Sequence, residues 1–317
     1  IGATFVNGYG TPGIEGAQLA KEMDIPHHII DVQDIFAQKI INPFIRAYLD
    51  GKTPNPCVTC NPNLKFAVLM PLLEQYQADW LATGHYVRIQ ERDGRYQLSI
   101  AVDPSKDQSY FLFALPQDIL AHCLFPLGDY TKEQIRNKAA AFGLSVAAKK
   151  DSQDICFIPD GDYRSLLRQR VAESLIPGAI IDMEGKEVGR HQGLACYTIG
   201  QRRGLDLALG YPAYVTALDI ATNSLRVGSK EDTYTDRVVV EQAVFQPFAV
   251  LTKKLTVKVK IRYKAKPVSA TISPLSDGNI LMHLKQPESA VTPGQAAVWY
   301  GEDQLIGGGI IKNAWRE

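Results

Sequence analysis

Two thiols three residues apart, Cys57 and Cys60, stand in the stretch TPNPCVTCNPN (53–63). Cysteine ionises to a nucleophile and metal ligand, so a spaced pair suits disulfide exchange, sulfur transfer or metal binding. Pro54, Pro56 and Pro62 argue against a continuous helix or a central strand here, which predicts a shaped loop around both cysteines. A third thiol, Cys156, follows the polar run KKDSQD (149–154). Lys149 and Lys150 could lower its pKa and favour the reactive thiolate. Alternatively, Cys156 in Ile155-Cys156-Phe157 is simply a buried strand residue. Cys123 and Cys196 sit in apolar patterns and are assigned to packing.

Three further groups of polar residues invite a chemical reading. His85 follows Gly84 in ATGHY (82–86), where the glycine would let the backbone approach a nucleotide closely. A hydrogen-bonded loop histidine is the plainer reading. Lys106, Asp107 and Gln108 precede an aromatic segment, as either a solvated turn or a patch for phosphate and sugar. In KKLTVKVKIRYKAK (253–266), Leu255, Val257, Val259, Ile261, Tyr263 and Ala265 alternate with Lys258, Lys260, Arg262, Lys264 and Lys266. That alternation predicts a strand over 255–266 with one core face and one basic, solvent-facing stripe. Edge lysines can merely block aggregation, but five on one face without an acid suit a nucleic-acid backbone. Arg202 and Arg203 in YTIGQRRGL (197–205) add a basic, glycine-flanked turn.

The elements that must position these groups alternate in the first half. IGATFV, IPHHIIDV and ADWLATGHY read as strands; GIEGAQLAKEMD, VQDIFAQKIINPFIRAYLDG (kinked at Pro43) and LKFAVLMPLLEQYQ read as helices. This order implies an α/β domain with a parallel sheet, whose ligand site lies at the strands' carboxyl ends, where ATGHY falls. Thr131 and Gln134 have capping-box spacing, Gly143 stops that helix, and DGDYRSLLRQRVAES is the last. From Pro177 onward short alternating strands are separated by turn residues. The expected division is 1–163 as an α/β domain, 164–228 as a small β-rich central domain, and 229–317 as a C-terminal β-barrel.

Composition sets bounds. Thirty-four basic residues balance thirty-four acidic ones among 317, with 45% hydrophobic and 21% charged residues. No global field advertises nucleic acid, so such a surface must be local. No apolar run reaches the roughly 18 residues of a membrane span, and no signal peptide opens the chain. Five scattered cysteines argue against a secreted disulfide framework, so a cytoplasmic protein is expected. The chain starts at Ile1 on a strand, as a fragment that has lost its front end would.

Taken in order, TPNPCVTCN, LKF, ATGHY, DPSKDQSYFL, KKDSQDICFIP, GQRRGL, VKIRY and VTPGQAAVWYG…GGGII resemble the bacterial tRNA-specific 2-thiouridylase family, from about residue 15 to the C-terminus. The resemblance implies an ATP-pyrophosphatase-type α/β domain, a small central domain and a tRNA-binding β-barrel. It implies a sulfurtransferase that uses ATP with Mg2+ to adenylate the C2 oxygen of the wobble uridine in tRNAs for Lys, Glu and Gln. Sulfur then comes from a cysteine persulfide, loaded by a sulfur-relay protein. On this pattern Cys156 matches the persulfide carrier and Cys60 the second catalytic cysteine, expected within disulfide reach of each other. Gly84 matches an ATP contact, and Asn55 and Pro56 target-base contacts. His85, Lys106, Asp107, Gln108, Arg262, Tyr263 and Gln295 match tRNA contacts. A monomer without membrane attachment is implied.

Two departures stand out. Many family members carry aspartate where this chain has Cys57, which leaves its base-contact role open. Cys57, Cys60 and Cys156 could instead hold a [4Fe–4S] cluster with one open iron, while zinc or no metal also suits the spacing. The family's SGGVDS-type pyrophosphate loop does not occur in these residues, so poor ATP binding is expected. The alternatives are a catalytically inert tRNA-binding chain and an adenylating amidotransferase of the same ATP-binding superfamily.

Overall fold

A computed structural model describes residues 1–10, 12–148 and 155–317. Strand β1 (Gly2–Val6) crosses over through helix α1 (Pro12–Glu22) to β2 (His27–Asp31), which runs parallel to it from Gly2↔His27 to Val6↔Asp31. Next come α2 (Gln33–Phe36), a π-helical turn at Ala37–Ile41, and α3 (Asn42–Leu49). The expected kink at Pro43 therefore takes the form of a widened turn just before the proline, whose missing N–H an ordinary helical ladder would leave unmatched.

The cysteine segment corrects the loop expectation. Helix α4 (Pro56–Cys60) runs into a π-helical stretch at Asn61–Phe66 and then α5 (Ala67–Gln75). Asn55 caps α4, its side-chain oxygen accepting from the Cys57 N–H at 3.2 Å. Pro56 occupies the first helical position, where its lack of an N–H costs nothing. Pro62 falls where the helix widens, so the prolines shape the helix rather than prevent it.

Strand β3 (Leu81–Ala82) is followed by the hairpin β4 (Arg88–Arg92) and β5 (Arg95–Ser99). Asp93 and Gly94 both have positive φ, 52° and 69°, the conformation a two-residue hairpin turn demands. Helix α6 (Gln117–Leu120) leads to β6 (Cys123–Leu124), parallel to β3, and then α7 (Lys132–Ala141) and α8 (Tyr163–Val171). Thr131 and Gln134 form the reciprocal capping box at the start of α7. Among the described residues the parallel sheet consists of two separate pairs, β1–β2 and β3–β6.

The second unit is a four-stranded sheet of β7 (Gly178–Ile181), β8 (Glu187–His191), β9 (Tyr214–Asp219) and β10 (Ser224–Gly228), in the order β8-β7-β10-β9. The third is a closed barrel of β11 (Tyr234–Phe245), β12 (Leu255–Lys260), β13 (Val268–Pro274), β14 (Ile280–Ser289), β15 (Ala296–Tyr300) and β16 (Leu305–Trp315), ordered β11-β14-β13-β12-β15-β16. Here too the sequence reading is corrected: β12 ends at Lys260, and residues 261–266 form turns. No helix among the described residues is long and apolar enough to cross a membrane.

Two cores position the site. One joins the first unit to the barrel, packing Val58, Phe66, Tyr110 and Leu112 against Ala296, Val298, Tyr300 and Leu305. Buried Tyr110 also donates its hydroxyl to the Ala296 carbonyl at 2.9 Å. The other gathers Phe36, Phe44, Cys60, Leu64, Phe157 and Leu167. Phe157 meets Phe44 and Phe36 edge-on, with ring centroids 5.2 and 5.6 Å away. Phe157→Ala should therefore lower the first unfolding transition in urea by about 3–5 kcal/mol, the usual cost of emptying a buried aromatic site.

Candidate active site

The Ile158 N–H donates to the Ile155 carbonyl at 2.9 Å, closing a turn with Cys156 and Phe157 at its centre. Phe157 is buried, yet Cys156 beside it is exposed. The buried-strand reading of Cys156 is thereby overturned. The neighbour is the anchor, and the thiol projects outward. Lys149 and Lys150, expected to activate it, lie outside the described residues.

A different cation serves this role. Lys65, on the π-helical stretch after Cys60, lowers the pKa of Cys57, Cys60 and Cys156 against the upward push of burial. Burial dominates at Cys60, 8% exposed, whose thiol is pushed up to about 11, with the charges of Cys156 and Cys57 adding to the rise. Half-buried Cys57 is raised by burial and then by Cys156. Cys156 is likewise raised on balance, burial against the surrounding chain outweighing Lys65, the Asn7 side chain and the N–H groups of Cys156 and Phe157, which lower it. The three thiols thus share one electrostatic environment. All five cysteines are free, so no disulfide joins Cys60 to Cys156.

His85 belongs to the same neighbourhood. Its Nδ1 lies 2.8 Å from the Thr83 hydroxyl, and its ring stacks on Phe66 and meets Phe125 edge-on. Burial first, and Lys65 second, lower its pKa to about 3, so the imidazole is neutral at physiological pH. Gly84 is exposed at the carboxyl end of β3. A side-chain carbon there would meet only Leu127, 3.7 Å away, so its backbone is open to a ligand.

A cleft of about 960 Å³ between the first unit and the barrel is lined by Gly84, Lys106, Lys258, Lys260, Tyr263 and Lys264. Asp107 is buried, its carboxylate accepting from Ala101 N, Ser109 N and Ser109 Oγ, with Lys260 at 3.9 Å. Gln108 exchanges hydrogen bonds with the Tyr86 backbone at 2.8 and 2.9 Å. Both residues build the cleft wall rather than a solvated turn. Lys258 and Lys264 are exposed, but Lys260 turns inward over the Tyr300 ring, so the expected uniform stripe is instead a lysine-lined cleft. Exposed Arg262 donates to the Ser289 carbonyl, and Tyr263 packs on Phe111 with centroids 4.3 Å apart. Gln295 donates to the Thr53 carbonyl at 2.8 Å, tying the barrel to the segment that enters Asn55.

Comparison with known proteins covers all three units. Residues 13–160 match the tRNA methyl transferase HUP domain, 164–229 the tRNA methyl transferase PRC-barrel domain, and 236–311 the aminomethyltransferase beta-barrel domain. The tRNA-specific 2-thiouridylase MnmA of Chloroflexus aggregans is 49% identical over 290 residues, 91% of this chain and 81% of that protein. MnmA of Clostridium acetobutylicum is 42% identical and that of Moorella thermoacetica 43%, each over 94% of this chain and 84% of the relative. The chain belongs to the tRNA-specific 2-thiouridylase MnmA family.

Set within the MnmA family, the site shows what sequence reasoning missed. Lys65 stood in the LKF motif without a role; its closeness in sequence to Cys60 was the available signal. Asn7 carries no motif, although it follows a strand at the ligand end of a parallel pair. Asn61, 2% exposed, donates to the Phe111 carbonyl at 3.0 Å while its Oδ1 has no partner among the described residues. The iron–sulfur alternative gains no support: among the described residues no group of three or more His, Cys, Asp or Glu side chains is arranged to hold a metal.

Alkylation followed by peptide mass spectrometry should label Cys156 before Cys60. Cys60 labelling should climb about tenfold per pH unit toward its pKa of about 11. Lys65→Met should shift both profiles to higher pH; unchanged profiles would remove Lys65 from the site. For His85 the depressed native pKa makes the unfolded state bind the proton first. Stability is then intact above about pH 6.5, the unfolded value, and lost as pH falls from there toward 3. His85→Phe should flatten that acid limb in a series of thermal melts.

Proposed function

We propose that this chain acts as a tRNA 2-thiouridylase, with Cys156 as sulfur carrier and Cys60 as the resolving thiol. The observation that carries the reading is the gathering of Cys57, Cys60 and Cys156 around Lys65, at the carboxyl end of the parallel strands. The domain descriptions speak of methyl transfer and the relatives' names of thiolation; three thiols sharing one cation favour thiolation. The substrate proposed is the wobble uridine of tRNAs for Lys, Glu and Gln, extruded from its stack to reach the thiols. ATP, with Gly84 at its site, would supply activation of the uracil C2 oxygen.

The chain's own residues account for the sulfur chemistry in order. An exposed Cys156 can be loaded as a persulfide, whose outer sulfur is a good nucleophile at neutral pH. That sulfur forms a bond to C2 as the activated oxygen leaves. Cys60 then attacks the Cys156 Sγ, breaking the S–S bond, forming a Cys60–Cys156 disulfide and leaving the sulfur on C2. An external dithiol restores both thiols. The electrostatics suit this order. Burial above all, with negative charge at Cys156 adding to it, keeps Cys60 protonated, and neutralising that charge by bond formation removes the smaller contribution.

Asn55 and Pro56, fixed by the α4 cap, would border the base. Lys106, Lys258, Lys264 and Arg262 would hold tRNA phosphates along the cleft. Cys156→Ser should abolish thiolation of tRNA transcripts while leaving tRNA affinity intact; retained thiolation would sink the carrier assignment. In salt titrations of tRNA binding, Lys258→Ala with Lys264→Ala should lower the slope of log affinity against log salt by about 0.7–0.9 per lost phosphate contact. An unchanged slope would move tRNA docking off this cleft.

A further inference from the structure

Asn7 lies directly after β1, in a turn whose glycines, Gly8 and Gly10, both have positive φ. Its Oδ1 accepts the Tyr9 N–H at 3.1 Å. Only an oxygen can accept that proton, so the other end of the amide must be the NH2 group. That end donates to Cys156 Sγ at 3.8 Å, a length suited to a sulfur acceptor. Tyr9 is itself fixed, its ring packing against Phe36 and Phe157 with both centroids 6.1 Å away. Phe157 is the residue next to Cys156. One aromatic contact therefore holds both ends of the Asn7–Cys156 pair, across 149 positions of sequence.

We propose that Asn7 is a positioning residue for the sulfur on Cys156, its Nδ2–H group favouring the anionic form and fixing the direction in which the sulfur projects. The surroundings leave room for such an effect. Among the described residues, the ionisable groups acting on Cys156 and its neighbours are Lys65 on the π-helical stretch and Cys57 and Cys60 on α4. No carboxylate is among them. A hydrogen bond to a charged acceptor is stronger than one to a neutral acceptor, so the donor matters most once the thiol or persulfide ionises. Its place in the reaction rests on the reading of Cys156 as sulfur carrier; the contact does not.

The decisive variant is Asn7→Asp. Aspartate keeps an oxygen for the Tyr9 N–H, so the turn survives, but it replaces the donor facing Cys156 with an anion. Iodoacetamide labelling of Cys156 in this chain would be followed from pH 6 to 10 by peptide mass spectrometry. Asn7→Asp should move the midpoint up by about one unit or more, cutting labelling at pH 7 roughly tenfold. Asn7→Leu, which removes the donor without adding charge, should cut it by a smaller factor of about 3. Cys57, which feels Cys156 but is not the sulfur that Asn7 bonds, should shift less than Cys156 in both. Identical Cys156 profiles in all three proteins would overturn the proposal, as would an equal shift at Cys57, which would mark a general disturbance. The readout needs neither tRNA nor ATP. Should Cys156→Ser retain thiolation, the carrier assignment fails while the labelling result still judges Asn7.

Discussion

The insertion of Phe157 among Phe44, Phe36 and Tyr9 is the contact on which the site depends. The carrier role proposed for Cys156 makes conflicting demands: exposure enough to be loaded, and a position definite enough to deliver. A buried thiol meets only the second, and a thiol on a free loop only the first. Placing a large aromatic ring at the adjacent residue separates the two roles. Phe157 supplies burial, and aromatic side chains bury the most surface of any type. Cys156 is left outside on a turn whose direction the ring sets. The core that receives Phe157 also contains Cys60 and Leu64, so one packing event fixes both thiols.

Lys65 supplies the complementary electrostatic constraint. Among the described residues no carboxylate pairs with it, so its field acts on the groups around it instead. It favours the thiolates of Cys57, Cys60 and Cys156 and disfavours protonated His85. Its location follows from local geometry. Pro62 cannot donate to the helical ladder, and the helix accommodates it by widening to π geometry over Asn61–Phe66. Burial opposes the cation at Cys60 and pushes that thiol up to about 11. Exposure leaves Cys156 the more available of the two.

Residue types and chain order made the α/β-then-barrel architecture legible, because alternation of strand and helix patterns is a local property. What stayed hidden depended on position within a pattern. Proline at the first turn of a helix is compatible with it, so TPNPCVTCNPN read as a loop although it starts one. The alternation of Ile261, Tyr263 and Ala265 continued the β12 pattern, but the Ala265 N–H bonds back to the Arg262 carbonyl, turning the chain out of the barrel. Asp107 and Gln108 looked like surface groups because sequence reports polarity and not whether a partner waits inside. Asn7 contacts a residue far along the chain, and no periodicity encodes such a pair.

The barrel's closure changes the meaning of its lysines. β12 pairs with β13 on one side and β15 on the other, so it has no edge to protect. Lys258, Lys260 and Lys264 therefore need another reason to crowd one region, and a cleft facing the first unit provides it. That cleft keeps a fixed relation to the thiols through two links. The core around Tyr110 fuses the barrel to the first unit, and Gln295 bonds to Thr53 just before the Asn55 cap. Gly294 makes the second link feasible: with φ of +91°, it lies where any side-chain carbon would come within 3.0 Å of both Lys52 Cβ and Thr53 N. A polyanion held by these lysines would thus be held at a set distance from Cys57, Cys60 and Cys156, with the barrel acting as a ruler rather than a tethered clamp.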